Sequence, residues 1–297
     1  MWQQQLEEIK QGNQKSIARC ISYIENETKG YEGFLETLPP SSTPILGITG
    51  PPGAGKSTLV DALIGLLVAQ NKSVAVICVD PSSPFNLGAL LGDRIRMSDW
   101  YNNPKVFIRS LATRGSLGGL HPKIIEISDL LKTAPFDYVI IETVGVGQSE
   151  IEIAGLADVT AVVMVPEAGD EVQTMKAGLM EIADIFVVNK ADRPGADLFV
   201  KNLRLMLAPA FHNRTLAVPV IKTVASQKEG ITELLESINK LSGNLNENEK
   251  QSWLLAEKAF HLIQQRKMTG IDKSMLKQKI EEAGTDFNLY SFIKNYY

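Results

Sequence analysis

The sequence predicts an α/β fold, doubly wound around a mainly parallel sheet, with helical extensions at both ends. Three observations carry that expectation. Short β-rich runs recur ("PILGITG", "SVAVICVD", "KVFIRSL", "DYVIIETV", "VTAVVMV", "IFVVNKAD", "VPVIKTVA"), and most are continuously apolar, as in strands covered on both faces. Helical periodicity separates several of them, at 57–70, 122–133, 171–183, 196–207 and 230–241, and strands alternating with helices build parallel sheets. Outside this block the strand signal stops and polar-amphipathic helix takes over.

Taken in order, residues 1–40 are expected to form an N-terminal helical extension, broken from the first strand by "LPPSSTP". Residues 41–243 hold the strands and form the expected central domain. The polar stretch "SGNLNENEK" leads into a C-terminal helical extension, 244–297, containing "SWLLAEKAFHLIQQ" and "DKSMLKQKIEEA", with Asp272 as the N-cap of the latter. No internal repeat or low-complexity tract interrupts this plan.

The 297 residues are 44% hydrophobic and 22% charged, ordinary for a soluble globular chain. A formal charge of -4 gives no support to nucleic-acid binding through phosphates. Cys20 and Cys78 have no CxxC partner, so both are expected as reduced thiols, Cys78 buried in a strand. The start, "MWQQQLEEIKQGNQKS", lacks the basic-then-apolar order of a signal peptide. No apolar stretch approaches the ~18–20 residues that span a bilayer. A cytoplasmic protein without membrane insertion is the expectation. His121, His212 and His261 have no Cys or carboxylate neighbours at ligand spacing.

Chemistry enters with "GITGPPGAGKSTLVDAL", residues 47–63. Gly50, Gly55, Lys56 and Ser57 fit G-x-x-x-x-G-K-[ST] between a strand pattern and a helix pattern, the context a P-loop requires. Across Gly50, Pro51, Pro52, Gly53, Ala54, Gly55, Lys56, Ser57 and Thr58, backbone N–H groups would turn inward to cradle phosphate oxygens. Lys56 would reach the β- and γ-phosphates and the Ser57 hydroxyl would coordinate Mg²⁺.

The base is read further on. In "NKAD", Asn189 and Lys190 would brace the base and the neighbouring loop while Asp192 accepts from guanine N1–H and the exocyclic amine. Adenine has no donor at N1 and would leave that carboxylate poorly paired. The expected ligand is therefore GTP or GDP. In "YVIIETVGVGQSE", Glu142 stands where a Walker-B acid belongs and either serves Mg²⁺ or caps the next turn. Gly145 would let its N–H approach the γ-phosphate. Asp80 ends a strand expected beside the P-loop, and Asp93 sits in a long Pro-, Ser- and Gly-rich loop; either could complete the metal shell. Val146 stands where a water-orienting glutamine would be useful, and Gln148 lies two residues on. Arg94, Arg96 and Arg114 are candidate transition-state cations in loops that no sequence feature pins.

Together "GPPGAGKST", "DPSSP", "GDRIRM", "RGSLGGL", "ETVGVGQSE" and "AGDEVQTMKAGLMEIADIFVVNKAD" resemble the methylmalonyl-CoA mutase-associated GTPases, the MeaB/ArgK group, over about residues 10–240. The resemblance implies a SIMIBI-class P-loop GTPase, a homodimer through its C-terminal helices, and a role in escorting adenosylcobalamin to a cobalamin-dependent acyl-CoA mutase and protecting that enzyme. It places Lys56 and Ser57 at phosphate and Mg²⁺, with Asp80, Asp93 and Glu142 around the metal and Asp192 on guanine. Asp170 and Lys176, with Gln173 beside them, fall in a loop-helix that answers to the partner. Read alone, that segment is an ordinary surface helix. Where the family has Ser-Ala-x after the last strand, this chain has Val224-Ala225-Ser226. Hydrolysis is expected to be slow alone and partner-stimulated. A kinase of an amino-acid transport system is the competing reading.

Overall fold

The computed structural model of the protein describes residues 2–80, 97–114, 120–145, 152–168, 182–210, 218–243, 249–283 and 287–296. Seven strands form one sheet in which every pairing is parallel: β1 (Ile45–Thr49), β2 (Val74–Asp80), β3 (Val106–Ala112), β4 (Tyr138–Glu142), β5 (Val159–Met164), β6 (Ile185–Val188) and β7 (Val220–Lys222). Their order is β3-β2-β4-β1-β5-β6-β7. All of the expected runs become strands, and those inside the sheet are buried along their length because helices cover both faces. At the β3 edge, the central residues Ile108, Arg109 and Ser110 are only partly buried.

From β1 the chain runs to β2 on one side, while β5, β6 and β7 extend the other. Such a reversal leaves a crevice at the carboxyl ends of the strands, where ligands of open α/β sheets bind. β4 lies between β1 and β2, so the strand ending at Asp80 is not the immediate neighbour of the P-loop strand. It still reaches the crevice: Cys78 pairs with Glu142, and β2 runs two residues further to Asp80.

Helix α4 (Lys56–Ala69), apolar on most sides, is sunk into the core with Leu59, Leu63 and Leu67 almost fully covered. A helix at Ile231–Gly243 packs against it through Leu234, Leu235 and Ile238. A second cluster joins Phe186 and Val188 of β6 to Phe199, Leu203 and Leu207 of the helix Ala196–Ala210.

The N-terminal residues form α1 (Trp2–Lys10), α2 (Gln14–Glu25) and α3 (Tyr31–Leu35). Asn13 starts α2 by accepting from the N–H groups of Lys15 and Ser16. Trp2 stacks on Phe34 with ring centroids 4.9 Å apart. The Gln14 amide donates to the carbonyls of Pro104 and Val106, joining α2 to the β3 edge. Cys20 and Cys78 are buried thiols outside any disulfide, and burial pushes the Cys20 thiol up to about 11, an inert state.

The chain divides into two compact units, Met1–Gln251 and Ser252–Tyr297. The second contains the end of a helix at Glu249–Lys267, then Lys273–Ala283 and Leu289–Ile293. Asp272 caps the middle one, accepting from Met275 N–H at 2.8 Å, as expected. Trp253, Leu255, Phe260 and Ile263 are exposed. Among the described residues no helix is long and apolar enough to cross a membrane.

Candidate functional site

The crevice is a cleft of about 390 Å³ whose walls include Gly53, Lys56, Ser57, Asp80, Glu142 and Thr143. Its floor is the bend Gly50–Gly55. Gly50 has φ +134, and a Cβ there would strike the Val163 carbonyl oxygen of β5; Gly55, at φ +88, lies so close to the Asn189 amide that no side chain fits. Gly53 also has positive φ but opens onto free space, the room a phosphate needs. No side chain caps the N-terminus of α4, so its first N–H groups face the cleft with the positive end of the helix dipole.

Lys56 is 6% exposed, which an ammonium tolerates only with oxygen partners. Its Nζ donates to the Gly50 and Pro51 carbonyls at 2.8 and 3.2 Å. The lysine is held back along its own loop, on acceptors that a phosphate oxygen can replace. Ser57 Oγ donates to Glu142 Oε1 at 2.7 Å across the cleft. β4 pairing fixes that contact, because Glu142 sits opposite Ile48. Just beyond, Thr143 N–H donates to the Ile48 carbonyl, and the Thr49 and Thr143 hydroxyls share a hydrogen bond of 2.9 Å. Gly145, at φ +82, has both Gly50 O and Lys56 Nζ where a Cβ would go.

Ser57, Asp80 and Glu142 thus bring one hydroxyl and two carboxylates, all buried, to the wall beside the phosphate cradle. This hard-oxygen set suits Mg²⁺, which is commonly held by one or two carboxylates plus substrate phosphates.

At the other end, Asn189 ties three segments together. Its Nδ2 donates to Ala54 O at 2.9 Å, and its Oδ1 accepts from Thr223 Oγ1 and Ala225 N–H, both at 3.1 Å. Lys190, in the left-handed region at φ +56, donates to Gly53 O at 2.8 Å. Val224 and Ala225 are buried, and Ser226 and Asp192 are exposed. Asn189 and Lys190 thus hold the P-loop and the segment after β7 from one turn, and Asp192, two residues on, is exposed.

Sequence reasoning missed Thr49, Thr143 and Thr223, small buried hydroxyls that join strand ends. Only the position of Thr143, directly after Glu142, could have pointed to one of them. Asp93, Arg94, Arg96, Gln148, Asp170, Gln173 and Lys176 lie outside the described residues. Arg114, which no sequence feature pins, is held in the structure: Nη1 donates to the Glu25 carbonyl at 3.0 Å and Nη2 lies 3.7 Å from its carboxylate.

Comparison with known proteins adds to this geometry. Residues 17–280 match the family described as methylmalonyl Co-A mutase-associated GTPase MeaB. A "putative GTPase" of Pyrococcus horikoshii is 43% identical over 296 residues, 98% of this chain and 92% of that protein. The fused isobutyryl-CoA mutase of Geobacillus kaustophilus is 35% identical over 260 residues, covering 80% of this chain but 24% of the mutase. A crystal structure described as a LAO/AO transport system kinase superposes with a TM-score of 0.71 at 26% identity, over 99% of this chain and 96% of that one.

Proposed function

The chain belongs to the methylmalonyl-CoA mutase-associated GTPase family, and from that premise we propose that it hydrolyses GTP to gate adenosylcobalamin delivery to a cobalamin-dependent acyl-CoA mutase, which it also protects. The observation that carries the hydrolytic part is the Ser57–Glu142 hydrogen bond across a cleft that already holds Lys56 on P-loop carbonyls. The Ser57 hydroxyl and the Asp80 and Glu142 carboxylates would hold Mg²⁺, directly or through water, with Asp93 as a further acid. When bound it neutralises charge on the β- and γ-phosphates. Lys56 leaves its carbonyls for phosphate oxygens, Asp192 selects guanine, and the backbone at Val224, Ala225 and Ser226 closes over the base. The relative that carries a homologous segment inside a fused isobutyryl-CoA mutase supports the mutase as partner. The exposed apolar residues Trp253, Leu255, Phe260 and Ile263 support a homodimer through the C-terminal helices. Gln148 orients water, and Asp170, Gln173 and Lys176 relay the partner's state.

The test is single-turnover GTP hydrolysis with and without a candidate acyl-CoA mutase, alongside cofactor loading of that mutase. Slow hydrolysis that the mutase accelerates is the expected result; a rate that ignores the mutase removes the gating role. A second reading, a kinase of an amino-acid transport system, is favoured by the name of the solved relative. Label from γ-labelled GTP or ATP appearing on a periplasmic amino-acid-binding protein would establish it instead.

A further inference from the structure

Helix α2 ends in a carboxylate that grips the β3 edge of the sheet. Glu25, the last residue of α2, is 11% exposed, and its Oε2 accepts from Arg109 Nη2 of β3 at 2.8 Å. Arg114, just beyond β3, donates to the Glu25 carbonyl and faces its Oε1. His121 Nε2 approaches the same Oε1 at 3.8 Å. One residue therefore holds β3 both within the strand and just after it.

Arg114 occupies the left-handed region at φ +48, which a non-glycine residue adopts only when its surroundings hold it there. Between the two arginines, β3 does something specific for the cleft. Ala112 is the register partner of Asp80, and Thr113 N–H donates to the Asp80 carbonyl at 3.0 Å. The backbone that aims the buried Asp80 carboxylate is thus hydrogen-bonded to the residue next to Arg114. Groups that orient a metal-binding carboxylate without touching the metal change affinity by about 10–100-fold when removed.

We propose that Glu25 is a positioning residue for the nucleotide site. Through Arg109 and Arg114 it fixes the end of β3, and through the Thr113–Asp80 hydrogen bond it sets the Asp80 carboxylate for the Mg²⁺ that accompanies the nucleotide. The inference rests on the reading of Asp80 as a metal-side acid. It gives the N-terminal helices a part in nucleotide handling that no contact of theirs with the cleft would suggest.

The test measures the Mg²⁺ concentration for half-maximal GTP hydrolysis, and Mg²⁺-dependent retention of a fluorescent GDP analogue, on the full chain. Glu25→Gln and Arg114→Ala should each raise the Mg²⁺ requirement by about tenfold. The double variant should be no worse than the poorer single, because both act through one strand end. Thermal unfolding shows whether each variant is folded; Arg114→Ala, at a half-exposed position, preserves the test if Glu25→Gln is unstable. Asp80→Asn serves as the reference. If Asp80→Asn leaves the Mg²⁺ requirement unchanged, the metal reading of Asp80 fails and the inference goes with it. If Asp80→Asn raises it but the two clamp variants only lower the melting temperature, Glu25 is merely structural and the inference alone is overturned.

Discussion

The protein builds two polar clusters, one in the cleft and one along the β3 edge where α2 lies, and they are built differently. In the cleft, Lys56 leans on carbonyls of its own loop and Ser57 on Glu142, partners that a phosphate or a cation can displace. Around Glu25, the carboxylate accepts from Arg109 and pairs with Arg114, while His121 Nδ1 accepts the Lys123 N–H at 3.0 Å. The first cluster has its partners on lease, the second permanently. What makes a site is that the pairing can be exchanged for a ligand.

The largest test of that contrast is Lys56→Ala. Its carbonyl partners are replaceable, so folding should hardly change, while GTP affinity falls by about 3–5 kcal/mol, the loss on truncating one partner of a buried charged contact. Calorimetric titration and thermal unfolding of the same samples check both halves. A large drop in melting temperature would place Lys56 with the permanent cluster.

His121 tests the other side. Burial, and behind it the positive charges of Arg114, Lys123 and Arg109, push it down to about 4 although Glu25 pulls the other way. The folded value lies below the unfolded one, near 6.5. Below pH 6.5 the unfolded chain therefore takes up a proton that the folded chain refuses. Stability is full above pH 6.5 and lost as the pH falls towards 4, by about 2 kcal/mol at pH 5. Urea unfolding at pH 7 and pH 5 should show this loss in the wild type and a smaller one in His121→Asn. An equal loss in both would assign the acid sensitivity to other groups.

Asp192 should give the smallest effect. It is exposed, so Asp192→Asn leaves folding alone and weakens the preference for guanine by about 1–3 kcal/mol. Competition of GTP, ATP and xanthosine triphosphate for the site measures it. Equal affinity of the wild type for ATP and GTP would break the base assignment.

The two clusters also differ in how far they could be read before any coordinates. The cleft was legible because the P-loop chemistry is local: Gly50, Gly55, Lys56 and Ser57 lie within one bend, and Asn189, Lys190 and Asp192 within another. The parallel sheet was legible because its strands are apolar throughout. Strand order was not, since β1, β2 and β4 carry the same apolar signal and only packing places β4 in the middle. The Glu25 cluster had no signal at all. Residues 25, 109, 114 and 121 meet only because α2 lies along the β3 edge, and each reads singly as a solvated charge or a lone histidine. Arg114 shows the consequence: in sequence a free loop cation, in the fold a fixed one.

The position of β4 also bears on how the chain is made. β1 is the first strand to be synthesised, yet its two neighbours come much later: Ile45 waits for Val139 of β4, and Leu46 for Val159 of β5. The outer strands find their partners sooner in the chain, β2 with β3 and β6 with β7. Closing long loops is slow and leaves apolar edges open to other molecules meanwhile. The nascent protein therefore carries its P-loop on an unpartnered strand until Glu142 has emerged, and no complete cleft exists before then. Nucleotide, which binds the finished cleft and not the waiting chain, draws this long closure forward by mass action.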